Sequence, residues 1–352
     1  MDGIPTRHTL MTCPEGSELL GPVSPSLLSR LNCPLRISFE QQSRGARSSH
    51  GAAAILGTVA HETIRLVLAG NLLTNAWVQA CQLEANRTRS DPASFPAARR
   101  TFLRLQNHVP VLMEFIKSRP EATIVSETPM ESPDGAIAGI PDLVLLTDGE
   151  ASAIVIDYKT GLVSDELGIN STYANQLLLY GALVTECLDA KTVELALFSL
   201  REGLVRIETG GDLIAASAAH ARATRDSFNA RVPGPQPANP TPDNCKWCPY
   251  APRCEAFWNS FGPEWIQAVG VAVKGIVQSE PEHSASGTTT VKLSVTNGPS
   301  DTSIVSGIPT EYVSRAVIGT EVRALDLNAK SNDPLILSWT NRANLLRRIV
   351  VS

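Results

Sequence analysis

Several features are missing from this 352-residue chain, and each absence removes a class of protein. No apolar run approaches the roughly 20 residues that a membrane-spanning helix needs, so no membrane span is expected. No G-x-x-x-x-G-K-[ST] loop occurs, which excludes an ATP-driven motor within the chain. The N-terminus lacks the basic-then-apolar layout of a secretory signal, and a cytoplasmic protein is expected. No internal repeat is present. Aromatic residues are scarce toward the C-terminus, where Tyr312 and Trp339 are the candidates for stacking on bases. Cysteine is present but odd in number, at seven, with three in ten residues. That crowding suggests metal binding rather than disulfides.

What is there describes an ordinary globular chain, 43% hydrophobic and long enough for two domains. The net charge of −5 hides a gradient. Residues 1–120 carry 13 Lys and Arg against 8 Asp and Glu; residues 121–267 carry 9 against 20; residues 268–352 carry 8 against 7. The basic stretch could track a phosphate backbone and the acidic one could hold a cation.

Texture along the chain predicts a loose lead-in over 1–22. Ser24 is a plausible N-cap for a first helix, with Pro25 at its first position and Cys33 near its end. "ILGTVAHETIRLVLAG" reads as a second helix stopped by Gly70, and a third covers about 95–118. Strands follow in "ATIVSETPM", "GAIAGIPDLVLL" and "ASAIVIDYK", with Asp134-Gly135 and Asp148-Gly149 as turns. A helix at "YANQLLLYGALVTECL", strands at "TVELALFSL" and "GLVRIETG", and a helix near 211–230 complete a mixed sheet flanked by helices. "VPGPQPANPTPDN" is too rich in proline for regular structure. Beyond Pro263, five strand-like runs with a helical piece, "PTEYVSRAVIG", after the third give the order of a small OB-like barrel. The expected domains are therefore 23–262 and 263–352, an α/β body and an all-β barrel.

Asp142, Asp157 and Lys159 flank apolar strands, where a buried charge without a partner would cost several kcal/mol. Alternation sends Asp157 and Lys159 to one face of their strand. Two carboxylates suit Mg²⁺. The Tyr158 carbonyl could add an oxygen ligand, Lys159 could stabilise developing charge, and Glu127 could be a further acid. Alone, Asp-x-Lys reads as an ion pair on a strand edge.

The larger pattern, Pro141-Asp142, strand, glycine turn, strand, Asp157-Tyr158-Lys159, resembles the PD-(D/E)XK nucleases and most of all their RecB-like branch. Gly57-Thr58-Val59-Ala60-His61 matches that branch's early histidine, and Gln176 with Tyr180 matches its glutamine and tyrosine. The resemblance implies a restriction-endonuclease-like core and a Mg²⁺- or Mn²⁺-dependent DNA nuclease. In it His61, Asp142 and Asp157 hold the metal, Lys159 is catalytic, and Gln176 and Tyr180 serve the same site. Exonuclease action on single-stranded DNA or DNA ends, in repair, recombination or defence, follows by family analogy. Any helicase or other repair partner would be a separate chain.

Cys245, Cys248 and Cys254 supply three thiols in one loop, and no second CxxC or paired histidines complete a zinc site. One early cysteine followed by CxxC-x₅-C resembles the iron–sulfur staple of the same nucleases. It implies Cys33 as the fourth ligand and a [4Fe–4S] cluster in preference to zinc. A non-catalytic nucleic-acid-binding or scaffold subunit is the alternative reading, and a zinc-ribbon regulator whose barrel binds a protein is a third.

Overall fold

The computed structural model describes residues 14, 16–43, 51–149, 151–165, 168–332, 335–340, 343 and 348–352. Most of the expected lead-in, residues 1–13 and 15, lies outside them. Residues 16–21 are irregular, yet the Ser17 N–H donates to the Pro233 carbonyl at 3.1 Å. The first half of the chain contains α1 (Pro25–Leu31), α2 (Pro34–Gln42), α3 (Ala52–Leu68), α4 (Leu73–Thr88) and α5 (Ala98–Lys117). Strands β1 (Thr123–Ser126), β2 (Met130–Glu131), β3 (Ala138–Gly139), β4 (Leu143–Thr147), β5 (Ser152–Lys159), β6 (Ser164–Asp165) and β7 (Gly168–Ile169) follow. Next come α6 (Ser171–Leu188), β8 (Thr192–Ser199), β9 (Gly203–Ile207) and α7 (Gly211–Asn229), then the short helices α8 (Pro242–Lys246), α9 (Glu255–Ser260) and α10 (Ile266–Val269). The last strands are β10 (Val271–Val277), β11 (Glu282–His283), β12 (Thr288–Asn297), β13 (Thr302–Pro309), β14 (Glu321–Asn332), β15 (Leu335–Ser338) and β16 (Ile349–Val351).

These elements form two compact units. The first comprises the described parts of 19–29 and 46–230; the second comprises those of 1–18, 30–45 and 231–352. In the first, a sheet of order β1-β4-β5-β8-β9 is antiparallel except for the β5–β8 pair, which α6 connects. Alternation sorts its side chains onto two cores. Leu143, Leu145, Ile154, Ile156 and Tyr158 meet Ile64 of α3 and Leu105, Val109 and Leu112 of α5. Val144, Leu146, Ala153 and Val155 meet Leu177 and Leu183 of α6 and Ile214 and Ala218 of α7. The result is a three-layer α/β/α body, with both sheet faces dry. Asp148 and Gly149 turn the β4–β5 hairpin with φ of 52° and 65°, the left-handed pair that such a turn favours.

The second unit holds a five-stranded barrel of order β10-β12-β13-β15-β14, closed by β14 pairing with β10. The β13–β15 pair is parallel and the rest are antiparallel. This is the OB-like order the strand runs predict. Val273, Val291, Leu293, Val305, Val322 and Leu337 fill its interior. The expected helix over 309–319 is not there. One 3₁₀ turn at Thr310–Tyr312 leads into irregular chain, because Val313 and Ala316 drop into the barrel core and Gly319 at φ 90° breaks the run. Tyr312 and Trp339 pack edge to face at 6.2 Å between centroids, half-buried against that core. An aromatic cluster of Phe257, Trp258 and Trp265 packs with Ala272 and Leu325, so the segment after the proline-rich connector shares one unit with the barrel.

Gly270 opens β10 at φ 72° with an extended ψ, a region almost restricted to glycine. A Cβ there would stand 2.8 Å from the Asp326 Cα. Gly270→Ala should therefore destabilise the barrel by about 2 kcal/mol or more. Denaturant titration checks this; a loss below about 0.5 kcal/mol would contradict the strain.

Candidate active site

The β4–β5 hairpin is open at one end, where Asp142 precedes β4 and Asp157 and Lys159 close β5. Antiparallel register pairs Leu143 with Ile156, so Asp142 arrives beside Asp157 and Tyr158. Its carboxylate makes two contacts there. Oδ2 accepts the Tyr158 backbone N–H at 2.6 Å, and Oδ1 lies 3.2 Å from His61 Nδ1. His61 projects from α3, and its ring stands edge-on to Tyr158, 5.5 Å between centroids. Glu127, just past β1, donates its N–H to the Asp142 carbonyl at 3.2 Å. Its φ of 49° is a left-handed backbone that few non-glycine residues adopt. Among the described residues, His61, Glu127 and Asp142 form the group whose ligand atoms all lie within 4.8 Å of one another.

Asp157 stands outside that trio. It is almost fully buried and forms an ion pair with Lys159, on the same face of β5, as alternation requires. The Lys159 ammonium also donates to Gln176 Oε1 at 2.9 Å and lies 4.9 Å from the centre of the Tyr173 ring. Gln176 in turn donates to the Tyr180 hydroxyl at 3.3 Å. Spacing of four on α6 puts Gln176 and Tyr180 on one face, and the structure joins them to Lys159 in a single chain of contacts. Gly139 leaves room for this, since a Cβ there would sit 2.8 Å from the Tyr180 ring. Sequence reading did not single out Gly139, because nothing local marks a glycine that faces a ring 41 positions away.

Charge is the main tension at this site. Burial raises the Asp157 pKa to about 6, and the Asp142 charge adds to that; Lys159 and His61 pull the other way. Glu127 is likewise raised, by burial first and then by Asp142. Burial opposes a charged His61, but the Asp142 hydrogen bond and the charges of Asp142, Asp157 and Glu127 outweigh it and raise its pKa. Carboxylates that repel one another in a half-buried pocket beside an imidazole are a donor set suited to a divalent cation.

The four cysteines gather in the second unit. Cys33, Cys245, Cys248 and Cys254 line one cavity with Arg36 and Tyr250. Burial, followed by the charges of the other three thiols, pushes Cys245 up to about 12. Burial also raises Cys254 to about 11. Cys33 Sγ accepts the Asn239 N–H at 3.4 Å, and the Phe39 and Tyr250 rings stack at 5.1 Å. Such thiols stay protonated unless a metal takes the proton's place, and the set fits a thiolate-bound centre. The spacing is wide: among the described residues, no three of these sulfurs lie within 4.8 Å of one another. A zinc tetrahedron with bonds of about 2.3 Å would draw them to roughly 3.8 Å.

Glu127→Gln and Asp142→Asn should each weaken Mn²⁺ binding by about tenfold or more, read by calorimetry on the full chain. Wild-type affinity in both variants would remove the trio as a cation site.

No curated protein matches this chain. Among solved structures, a crystal structure from Eubacterium rectale, described as a candidate exonuclease, aligns over 59% of this chain and 83% of its own. Its identity is 10% and its TM-score 0.40. SSO0001 aligns over 66% of this chain and 95% of its own, at 20% identity and a TM-score of 0.28. Both overlaps are too loose to bear on the site. The family model of the PD-(D/E)XK nuclease superfamily, by contrast, matches residues 22–255, a span from ahead of Cys33 to just past Cys254 that holds every residue named in this section. The chain belongs to the PD-(D/E)XK nuclease superfamily.

Proposed function

We propose that this protein is a Mg²⁺- or Mn²⁺-dependent deoxyribonuclease, acting as an exonuclease on single-stranded DNA or DNA ends. The observation that carries the reading is the meeting of His61, Glu127 and Asp142 beside the Asp157–Lys159 pair at one end of the sheet, in a chain of this superfamily. A divalent cation bound there would neutralise charge on the scissile phosphate and lower the pKa of a water. His61, Asp142 and Asp157, with the Tyr158 carbonyl, are the proposed ligands, and Glu127 adds a further carboxylate. Asp142 orients His61 while tying itself to the Tyr158 N–H. Lys159 holds its ammonium where negative charge develops on the phosphate oxygens, and Gln176 and Tyr180 fix its position.

A basic stripe supports a phosphodiester substrate. Arg100, Arg104 and His108 follow one another at helical spacing on α5, and Gly203 lies against His108. Burial and then the charges of Arg201 and Arg100 lower the Arg104 pKa, so these guanidinium groups share one neighbourhood. The Leu200 N–H donates to the Lys159 carbonyl at 2.8 Å, which sets the Arg201 turn next to the strand that bears the lysine. A polyanion passing the cation site would meet this stripe.

The cysteines belong to the same proposal as ligands of a [4Fe–4S] cluster, with zinc as the competing occupant. Exonuclease action on ends and a place in repair, recombination or defence rest on superfamily analogy alone.

With labelled single-stranded DNA and Mn²⁺, Asp157→Ala and Lys159→Ala should each cut degradation by on the order of a hundredfold or more. Equal degradation by folded wild type and variants, or none from either, would favour the scaffold reading instead. Removal of iron by chelation or oxidation should lower the melting temperature by several degrees, since ligation free energy is folding free energy (on the order of 10 kcal/mol for structural metal sites). An unchanged melting curve after complete removal would count against a cluster that holds the fold.

A further inference from the structure

We propose that Arg348, just before β16, is a positioning residue for the cysteine centre, holding the Cys245–Cys248 loop in its ligating shape. The inference rests on the reading of the four cysteines as a metal centre, and it gives the barrel a role in that centre.

Arg348 is wholly buried and Asp326 nearly so. Arg348 Nε lies 2.9 Å from Asp326 Oδ2. The remaining two guanidinium nitrogens donate to three backbone carbonyls. Nη2 serves Cys245, at 2.9 Å, and Lys246; Nη1 serves Cys248. Every one of these acceptors belongs to the four-residue stretch that begins and ends with a proposed thiolate ligand. Two of them, Cys245 and Lys246, close α8, a five-residue helix, where Arg348 joins the Cys248 N–H that the Cys245 carbonyl already accepts at 3.1 Å. Arg348 therefore does the work of a C-cap, from a hundred residues away.

The arginine is itself held on both sides. Its carbonyl accepts the Leu325 N–H at 3.0 Å, and its N–H donates to the Ala343 carbonyl at 2.9 Å. Asp326 has a left-handed φ of 62°, and its carbonyl accepts the Thr340 hydroxyl at 2.6 Å. Burying an ion pair is expensive, and an apolar pair of similar volume is often as stable or more so. Stability alone is a weak reason for such a pair. Geometry is a better one: a planar guanidinium can fix several carbonyls at once, and fixed carbonyls set the turn from which Cys245 and Cys248 project. Lysine, with a single nitrogen, cannot make the same fork.

The test uses the full chain, loaded with iron and sulfide, and two variants. Arg348→Lys keeps the charge but loses the fork. The double variant Arg348→Met with Asp326→Asn removes both charges and keeps at 326 a residue that tolerates the left-handed backbone, so the barrel itself should survive. Iron per chain, the rate at which a chelator bleaches the visible absorption, and melting of metal-free and loaded protein are measured. Both variants should lose metal about tenfold faster or more, with the metal-free double variant melting close to metal-free wild type. If both hold iron at wild-type rates, or if the variants lower metal-free and loaded melting equally, Arg348 is merely structural and the proposal fails. Should wild type bind zinc, the same comparison is read as zinc release. A wild-type protein that retains neither iron nor zinc would sink the reading of the cysteines, and this proposal with it, whereas loaded wild type with indifferent variants would sink this proposal alone.

Discussion

One carboxylate fastens the candidate active site. Asp142 reaches His61 on α3 with one oxygen and the Tyr158 N–H on β5 with the other, while its own carbonyl accepts from the Glu127 N–H and the Ser126 hydroxyl. Helix and sheet are thereby tied at a point where the sheet's side chains stop being apolar. Without that bridge, the histidine on one side of the sheet and the Asp157–Lys159–Gln176 line on the other would belong to separate surfaces. Packing makes the bridge possible: Leu143, Ile156 and Tyr158 are buried within the same core as Ile64, which fixes α3 against the hairpin. The site is an edge feature of a dry sandwich, and its precision is inherited from that sandwich.

Much of this was legible because strands write their geometry into sequence with a period of two. "SAIVIDYK" alternates between two apolar cores, so the shared face of Asp157 and Lys159 followed from spacing alone. The α6 pair Gln176 and Tyr180 was legible for the matching reason at helical period. Helix α4 was not read, since its buried face is mostly small or polar, Ala76, Ala80, Cys81 and Glu84, and gives no apolar stripe. Helix α2 was missed because Cys33 and Pro34 end one helix and begin another within two residues. The inverse error occurred at 309–319, where Tyr312, Val313 and Ala316 carry helix-like spacing but serve the barrel wall.

Side chains whose roles depend on distant partners were the least legible. Glu127 could be named as a nearby acid, but the left-handed backbone that accompanies it at the trio is a property of the turn after β1. That Asp157 would be claimed by Lys159, leaving Glu127 in the tight trio, is decided by burial and competing charge, which no spacing encodes. Arg348 is the extreme case. Nothing in the sequence marks it, and pairing of its backbone with Leu325 beside β14 brings it, dehydrated, to the carbonyls of a loop a hundred residues earlier.

Charge then links these parts into one physical account. The acidic middle of the chain concentrates carboxylates that cannot all ionise comfortably together, as the raised pKa values of Asp157 and Glu127 record. A divalent cation bound among them would relieve that repulsion. The cysteine loop follows the same logic: burial raises the Cys245 and Cys254 thiols, and a metal bound among them would take the place of their protons. Arg348 presents its charge to the backbone carbonyls of that loop and is compensated by Asp326. It can therefore shape the loop while adding little net charge to it. In both clusters burial holds ionisable groups at an electrostatic disadvantage that a bound cation would relieve.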